Sequence, residues 1–189
     1  MKELEEKILC DCRIINNDII KVDSFINHQI DPKIFKDFAV HVKKHFKDFK
    51  IDKILTIETS GIAVAYAVAS ELGDLPLLFA KKTKSAITTD DVYSTEIKSF
   101  TRNVFNNVIV SKRYLKEGEN VLIVDDFLAE GNAALGLINL CKQAKANVVG
   151  VTVMIEKGFQ GGRKKVNELG IKVYSGAIIK EFKDNKPVF

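Results

Sequence analysis

The feature that most constrains this chain is a series of short, mainly apolar runs that alternate with longer helical patterns. In the clearest run, Val121, Leu122, Ile123 and Val124 are all apolar and mostly β-branched, as expected of a strand buried on both faces. Similar runs lie at residues 54–57, 77–80, 108–110 and 148–155. Strands that alternate with helices typically form a parallel sheet covered by those helices. We therefore predict an α/β fold with these runs as its buried strands.

Segments between the runs show helical patterns. One of them places apolar side chains four residues apart from Ile34 to Phe46, with Asp31 as the predicted N-cap and Pro32 in the first helical position. The predicted helices are residues 31–46, 61–72 and 131–146. Residues 81–107 are polar and mixed, which is typical of an active-site flap or a hairpin excursion.

The composition limits the class of protein. A chain of 189 residues, 46% hydrophobic and 29% charged, fits one globular domain. The longest apolar run, residues 62–69, is far shorter than the roughly 20 residues of a membrane span. The net charge is only +4 and no Arg-rich tract with interleaved aromatic residues occurs, so we expect no nucleic-acid and no membrane partner. Early acidic residues, and three cysteines without zinc-site spacing, predict a cytoplasmic protein with no metal site of its own.

The most informative stretch follows the strand at residues 121–124. Asp125 and Asp126 come next, and then a loop of small residues, 129–133, that opens a predicted helix. Ligands of open parallel sheets bind beyond the carboxyl ends of the strands. Carboxylates there can accept hydrogen bonds from sugar hydroxyls, and loop amides at a helix start can bind a phosphate. The alternative is a solvated strand end with a turn at Gly131, but adjacent like charges after a buried strand favour a ligand.

This stretch resembles the motif that binds 5-phosphoribosyl 1-pyrophosphate (PRPP) in type I phosphoribosyltransferases. The resemblance implies that Asp125 and Asp126 hold the ribose hydroxyls and act in catalysis. It also implies that the 5′-phosphate binds to Ala129, Glu130, Gly131, Asn132 and Ala133. Many members of the family carry threonines where this chain has its two alanines, so phosphate binding would depend more on backbone amides.

Two further loops resemble parts of the same family. Residues 56–61 follow a predicted strand and open a helix, like the family's pyrophosphate loop, which implies that Glu58, Thr59, Ser60 and Gly61 bind PRPP. Such loops also connect strands to helices in any α/β protein. Residues 80–85 and 93–101 resemble the flap of purine phosphoribosyltransferases, in which Lys81 would neutralise pyrophosphate or reach a neighbouring subunit's site. The alternative for these lysines is a solvated loop.

Residues 21–32 and 155–160 resemble bacterial purine phosphoribosyltransferases that use xanthine, and this resemblance covers nearly the whole chain. It implies that Ile20 and Asn27 lie in a hood over the base and that Lys157 contacts purine oxygens, while Phe127 could stack on the ring. The alternatives are a core residue for Ile20, a turn cap for Asn27 and a snorkelling strand-end lysine for Lys157.

The implied architecture is the type I phosphoribosyltransferase fold, a central parallel sheet flanked by helices, in one domain covering residues 1–189. A core of about 31–156 would carry a small hood built from about 1–30 and 157–189. The implied reaction joins xanthine to PRPP and releases pyrophosphate, with Mg²⁺ bound mainly through PRPP and a homodimer as the assembly. The alternatives are an adenine or hypoxanthine-guanine phosphoribosyltransferase, a PRPP-binding transcription regulator without catalysis, and an α/β interaction module.

Overall fold

A computed structural model describes residues 1–82, 91–98 and 105–189. Residues 83–90 and 99–104, which include much of the expected flap, lie outside the described residues. The helices are α1 Lys2–Asp11, α2 Pro32–His45, α3 Gly61–Glu71, α4 Asn132–Ala144 and α5 Gly162–Asn167. The strands are β1 Arg13–Ile15, β2 Ile19–Lys21, β3 Lys53–Ile57, β4 Leu77–Ala80, β5 Val92–Lys98, β6 Phe105–Ser111, β7 Asn120–Leu128, β8 Asn147–Lys157, β9 Val173–Ile179, β10 Glu181–Lys183 and β11 Lys186–Val188. Asp23–Asn27 and Gly158–Gln160 form short helical turns.

The central sheet has five parallel strands in the order β4-β3-β7-β8-β9. Strand β7 lies in the middle, so its two faces are both covered by helices. Leu122 and Val124 pack into one core with residues of α2 and α3, whereas Val121 and Ile123 pack into a second core with residues of α4. Alternate residues of a strand point to opposite faces, and this explains why the run at 121–124 is apolar at every position. The predicted α/β fold is confirmed.

One predicted strand has a different partner. Residues 108–110 belong to β6, which pairs with β5 in a two-stranded antiparallel sheet and not with the central parallel sheet. The backbone of Ile109 also exchanges two hydrogen bonds with Lys81, at 2.9 and 3.0 Å. Val108 and Val110 are buried against the α4 side of the core. The run is apolar because these valines are buried. An apolar run does not indicate which strand it pairs with.

The predicted N-cap of α2 and the predicted glycine stop of α3 are confirmed, whereas the third predicted helix, residues 131–146, is shorter at Asn132–Ala144. The Asp31 carboxylate accepts hydrogen bonds from the backbone amides of Lys33 and Ile34, at 3.0 and 3.4 Å, directly before Pro32 begins α2. Helix α3 ends just before Gly73, whose φ of +95° is readily adopted by glycine.

Two small hairpins, β1-β2 and β10-β11, come from opposite ends of the chain and meet each other. Asn17 and Asn185 exchange two hydrogen bonds between amide oxygens and backbone amides, at 2.7 and 3.2 Å. Strand β9 falls within the expected hood segment, residues 157–189, and forms an edge of the central sheet. No helix among the described residues is both long and apolar enough to cross a membrane.

Candidate active site

One cavity of about 200 Å³ lies at the carboxyl end of the central sheet. It brings together segments that are far apart in sequence: the loop after β3, the residue after Lys81, the end of β7 and the start of α4. The predicted site residues that line it are Glu58, Ser60, Asp125, Asp126, Phe127, Ala129, Glu130, Gly131, Asn132 and Ala133. The 58–61 loop, the acid pair and the 129–133 loop therefore line the same cavity.

Asp125 and Asp126 lie within β7, which continues to Leu128, and not beyond the strand end as the sequence suggested. Each is only 8% exposed, so the alternative of a solvated strand end is wrong. The Asp125 carboxylate accepts a hydrogen bond from the Asp126 amide at 2.9 Å, and the Asp126 carboxylate accepts one from the Phe127 amide at 3.0 Å. These backbone donors fix the orientation of both acid groups toward the cavity end of the strand.

Burial raises the pKa of Asp125 well above its usual value, and the neighbouring Asp126 raises it further. The close packing behind the carboxyl group depends on Gly61, the first residue of α3. A Cβ at this position would lie 2.6 Å from the Asp125 Oδ1 atom and would also collide with the buried hydroxyl of Thr56. Glycine is therefore required here by close approach.

The 129–133 loop turns at Gly131, whose φ is +86°, directly before α4 begins at Asn132. The first amides of a helix have no intrahelical acceptor and attract anions. The side chains of Asn132 and Glu130 hydrogen-bond each other at 3.2 Å. The loop therefore offers backbone amides at a helix start. This fits the absence of side-chain hydroxyl donors at its two alanines.

The 58–61 loop divides between two surfaces. The Glu58 carboxylate accepts a hydrogen bond from the Lys82 amide at 2.6 Å, and its own amide donates to the Ala80 carbonyl at 3.0 Å. Glu58 and Ser60 line the cavity, whereas Thr59 lines a separate groove between α2 and α3. The loop thus joins β3 to the base of the flap.

The resemblance favours Lys81 as the pyrophosphate ligand, but Lys82 is the residue that lines the cavity. The Lys81 ammonium lies 6.0 Å from the ring centre of Phe79, which does not line the cavity. Neighbouring residues of an extended segment point in opposite directions, so only one of the two can face the cavity. The sequence points to both lysines. The backbone pairing of Lys81 with Ile109 determines which of the two faces the cavity.

The four residues expected at the base occupy different surroundings. Of these four, within the part of the chain that the structure describes, Phe127 alone lines the cavity. Ile20 is buried in the core, and Asn27 is exposed at the end of a short helical turn. Lys157 ends β8 and is 7% exposed, with its ammonium donating to the Asp18 carbonyl at 2.9 Å and lying 5.8 Å from the ring centre of Phe182. Burial lowers the pKa of Lys157.

The described ranges contain no cluster of three or more His, Cys, Asp or Glu side chains suited to a metal ion. The cavity nevertheless contains the carboxyl groups of Asp125 and Asp126. Carboxylate oxygens are the hard donors that Mg²⁺ takes, usually one or two at a time beside substrate oxygens and water. The donor set fits a cation that is held mainly by a phosphorylated substrate.

A parallel sheet with a buried acid pair and a glycine-turned loop at its carboxyl edge is suited to a phosphorylated sugar. The family model described as "Phosphoribosyl transferase domain" matches residues 27–181. The chain belongs to this family, and it is a phosphoribosyltransferase enzyme.

Relatives with full-length matches support the assignment. The chain is 49% identical over 189 residues to a xanthine phosphoribosyltransferase of Finegoldia magna, covering 100% of this chain and 99% of the relative. It is 46% identical to xanthine phosphoribosyltransferase 2 of Clostridium botulinum, covering 100% of both. A solved adenine phosphoribosyltransferase from Thermoanaerobacter pseudethanolicus has the same fold, with a TM-score of 0.74 and 22% identity over 92% of this chain and 98% of that one.

The buried acid pair predicts a measurable cost in stability. Because the pKa of Asp125 is higher in the folded than in the unfolded chain, its ionisation at neutral pH opposes folding. Replacing Asp125 with Asn keeps an oxygen that can accept the hydrogen bond from the Asp126 amide. We expect Asp125→Asn to raise the free energy of unfolding at pH 7.5 by about 1 kcal/mol, measured by urea denaturation.

This gain should shrink as the pH falls and disappear below about pH 4, where the aspartate is protonated in both states. Asp48→Asn, at an exposed position, is the matched control and should change the unfolding free energy little. An Asp125→Asn variant that is no more stable than the wild type at pH 7.5 would contradict this account of the acid pair.

Proposed function

We propose that this enzyme transfers the 5-phosphoribosyl group of PRPP to N9 of xanthine, which gives xanthosine 5′-monophosphate and pyrophosphate in purine salvage. The observation that carries the proposal is the cavity in which the buried acid pair faces the 129–133 loop. The substrate is supported by full-length relatives named xanthine phosphoribosyltransferase, at 46% and 49% identity.

In this proposal, N9 of xanthine forms a bond to the anomeric carbon of the ribose as the bond to pyrophosphate breaks, and the proton of the imidazole ring leaves with the pyrophosphate. Positive charge develops on the ribose during this exchange, and the electrons of the breaking bond leave with pyrophosphate. Asp125 and Asp126 accept hydrogen bonds from the ribose hydroxyls and stabilise that charge. Catalysis comes from holding the reactants together in a preorganised site, without a covalent enzyme intermediate.

The loops hold the two ends of PRPP. Backbone amides of Ala129, Glu130, Gly131, Asn132 and Ala133 bind the 5′-phosphate. In the 58–61 loop, the backbone amides of Thr59, Ser60 and Gly61 bind the pyrophosphate, while Glu58 ties the loop to the Lys82 amide. Lys82 is better placed than Lys81 to neutralise the pyrophosphate. Asp125 and Asp126 are the residues that would hold a Mg²⁺ ion bound with PRPP, and that ion would supply charge neutralisation for the leaving group.

The base is held by a hood made from both ends of the chain, about residues 1–30 and 157–189, over a core of about 31–156. The contact between the Lys157 ammonium and the Asp18 carbonyl supports this arrangement, because it joins β8 to the hairpin that carries Ile20. Lys157 donates to a purine oxygen, Phe127 stacks on the ring, and Ile20 and Asn27 complete the hood. A cationic donor favours the oxygens of xanthine over the amino group of adenine.

We further propose a cytoplasmic homodimer. An apolar groove runs between α2 and α3, and it includes Phe35, Ile62 and Tyr66, the last of which is 68% exposed. A surface of this kind suits an isologous contact with a second copy. The three cysteines are free thiols, as is usual for a cytoplasmic protein.

Sedimentation velocity tests the dimer. We expect the wild type to sediment as a dimer, and Tyr66→Asp to shift it to the monomer because a charge would be buried in the contact. Tyr114→Asp, at another exposed tyrosine that is 52% exposed, should remain dimeric. A monomeric wild type would contradict the proposal.

The function is tested with a panel of xanthine, guanine, hypoxanthine and adenine, each with PRPP and Mg²⁺, by measuring nucleotide formation. We expect xanthine to have the highest kcat/KM, and adenine to be at least about a hundredfold poorer because its amino group opposes the Lys157 donor. If adenine or hypoxanthine were best, the enzyme would have that alternative specificity. If no base reacted, catalysis itself would be contradicted and a PRPP-binding regulator favoured.

The same assay tests Lys157. Removing its ammonium in Lys157→Met should raise the KM for xanthine about tenfold, the usual effect of losing a charged hydrogen bond, and change the KM for PRPP little. Lys180→Met, at an exposed lysine near the same sheet edge, is the control and should behave as the wild type. An equal rise in both KM values would remove Lys157 from base recognition.

A further inference from the structure

The segment that follows Lys157 packs directly against the 129–133 loop. The Gly162 amide donates to the Ala129 carbonyl at 3.1 Å, and the Lys165 ammonium donates to the Glu130 carbonyl at 2.9 Å. Two consecutive carbonyls of the loop are therefore held from one side by the start of α5. The sequence gives no indication of this contact, since most of α4 and the whole of β8 lie between the two segments.

The approach is so close that it requires glycine at position 162 and leaves little room for a side chain at position 131. A Cβ at Gly162 would collide with the Ala129 carbonyl and lie 2.8 Å from the Gly131 amide nitrogen. A Cβ at Gly131 would lie 3.1 Å from the Gly162 Cα atom. The position of the Gly162 backbone thus determines where the 129–133 loop can lie.

Arg163, the next residue, anchors this segment to the central sheet. Its guanidinium donates to both carboxylate oxygens of Glu156, at 2.8 and 2.5 Å, and to the Val173 carbonyl at 2.9 Å. Ser175 joins the network, since it accepts from Arg163 at 3.1 Å and donates to Glu156 at 2.5 Å. Glu156 lies in β8 and is only 2% exposed, whereas the Arg163 side chain is 33% exposed. The bidentate contact therefore fixes Arg163 against a buried carboxylate.

We propose that Arg163 is a positioning residue that holds the 129–133 loop in its phosphate-binding shape, acting through the Gly162 contact and assisted by Lys165. The inference rests on the proposed function, in which this loop binds the 5′-phosphate of PRPP. The need for such support follows from the sequence of the loop. Ala129 and Ala133 offer no hydroxyl donors, so affinity depends on backbone amides that only a fixed backbone can keep aligned.

The test measures PRPP binding by calorimetry together with the KM values for PRPP and xanthine. Arg163→Met removes the anchor, and Glu156→Gln/Arg163→Met removes it without leaving a buried carboxylate unpaired. We expect both variants to bind PRPP on the order of tenfold to a hundredfold more weakly, with the xanthine KM changed less than about threefold. The double variant separates loss of positioning from the instability of an unpaired charge.

A second pair of variants tests the same support at exposed positions that should not affect folding. Lys165→Met loses the hydrogen bond to the loop, and Lys164→Met changes its exposed neighbour on the same short helix. We expect weaker PRPP binding in Lys165→Met, by a factor of about three to ten, and wild-type binding in Lys164→Met.

The outcomes separate this inference from the proposed function. If the wild type binds PRPP but converts no base, the proposed function is contradicted. The role of Arg163 is then still decided by the PRPP affinities of its variants. Unchanged PRPP binding in Lys165→Met and in either Arg163 variant overturns the inference while the function stands. Equal rises in the KM values for PRPP and xanthine also overturn it, because they would show a general structural effect. A wild type that binds no PRPP contradicts both.

Discussion

Two adjacent carboxyl groups buried inside the central strand are the constraint on which the rest of this structure depends. Asp125 and Asp126 continue β7 after four apolar residues, and each is 8% exposed. Burying a charge costs free energy unless partners compensate it. The neighbouring backbone amides compensate part of this cost, but the raised pKa of Asp125 shows that part remains. A fold keeps such an unfavourable pair where a ligand makes use of it.

The surroundings of the pair can be understood from that constraint. Gly61 must lack a side chain so that α3 can begin beside the Asp125 carboxyl group, and Gly131 must turn the chain immediately after the strand. Two helices therefore start at the edge where the acids lie. Their positive N-terminal ends favour anionic groups at this edge, so one edge of the sheet provides acceptors for a sugar and donors for its phosphates.

The parts of this structure that depend on nearby residues could be predicted from the sequence. The apolar run of β7 and the Asp31 cap of α2 are local patterns, and the resemblance of residues 121–133 to a family motif led to the correct family. Parts that depend on long-range pairing could not be predicted in this way. The partner of β6, the continuation of β7 beyond Val124, and the inward position of Lys82 are all decided by strand register, which short apolar runs do not encode.

The same distinction explains why the sequence does not indicate the contacts of Arg163. Its partners are Glu156, seven residues earlier, and the β9 residues Val173 and Ser175, and they meet only because two parallel strands bring them together. A polar residue in the sequence of β8 is the available signal, since Glu156 lies in the buried and mostly apolar part of that strand, residues 150–157. A buried acid of this kind needs a cationic partner, and arginine is the residue best suited to bind it at two points.

The central claim is that the edge formed by the acid pair and the 129–133 loop binds PRPP. Calorimetric titration of PRPP with Mg²⁺ into the wild type, Gly131→Val and Gly118→Val tests it most directly. Both glycines have positive φ, +86° and +78°, so both variants carry similar backbone strain, but a Cβ at Gly118 meets no atom within 4 Å. The account predicts binding by the wild type and Gly118→Val, and binding at least about tenfold weaker in Gly131→Val. Equal affinity of the two glycine variants, or no heat of binding with the wild type, would contradict it.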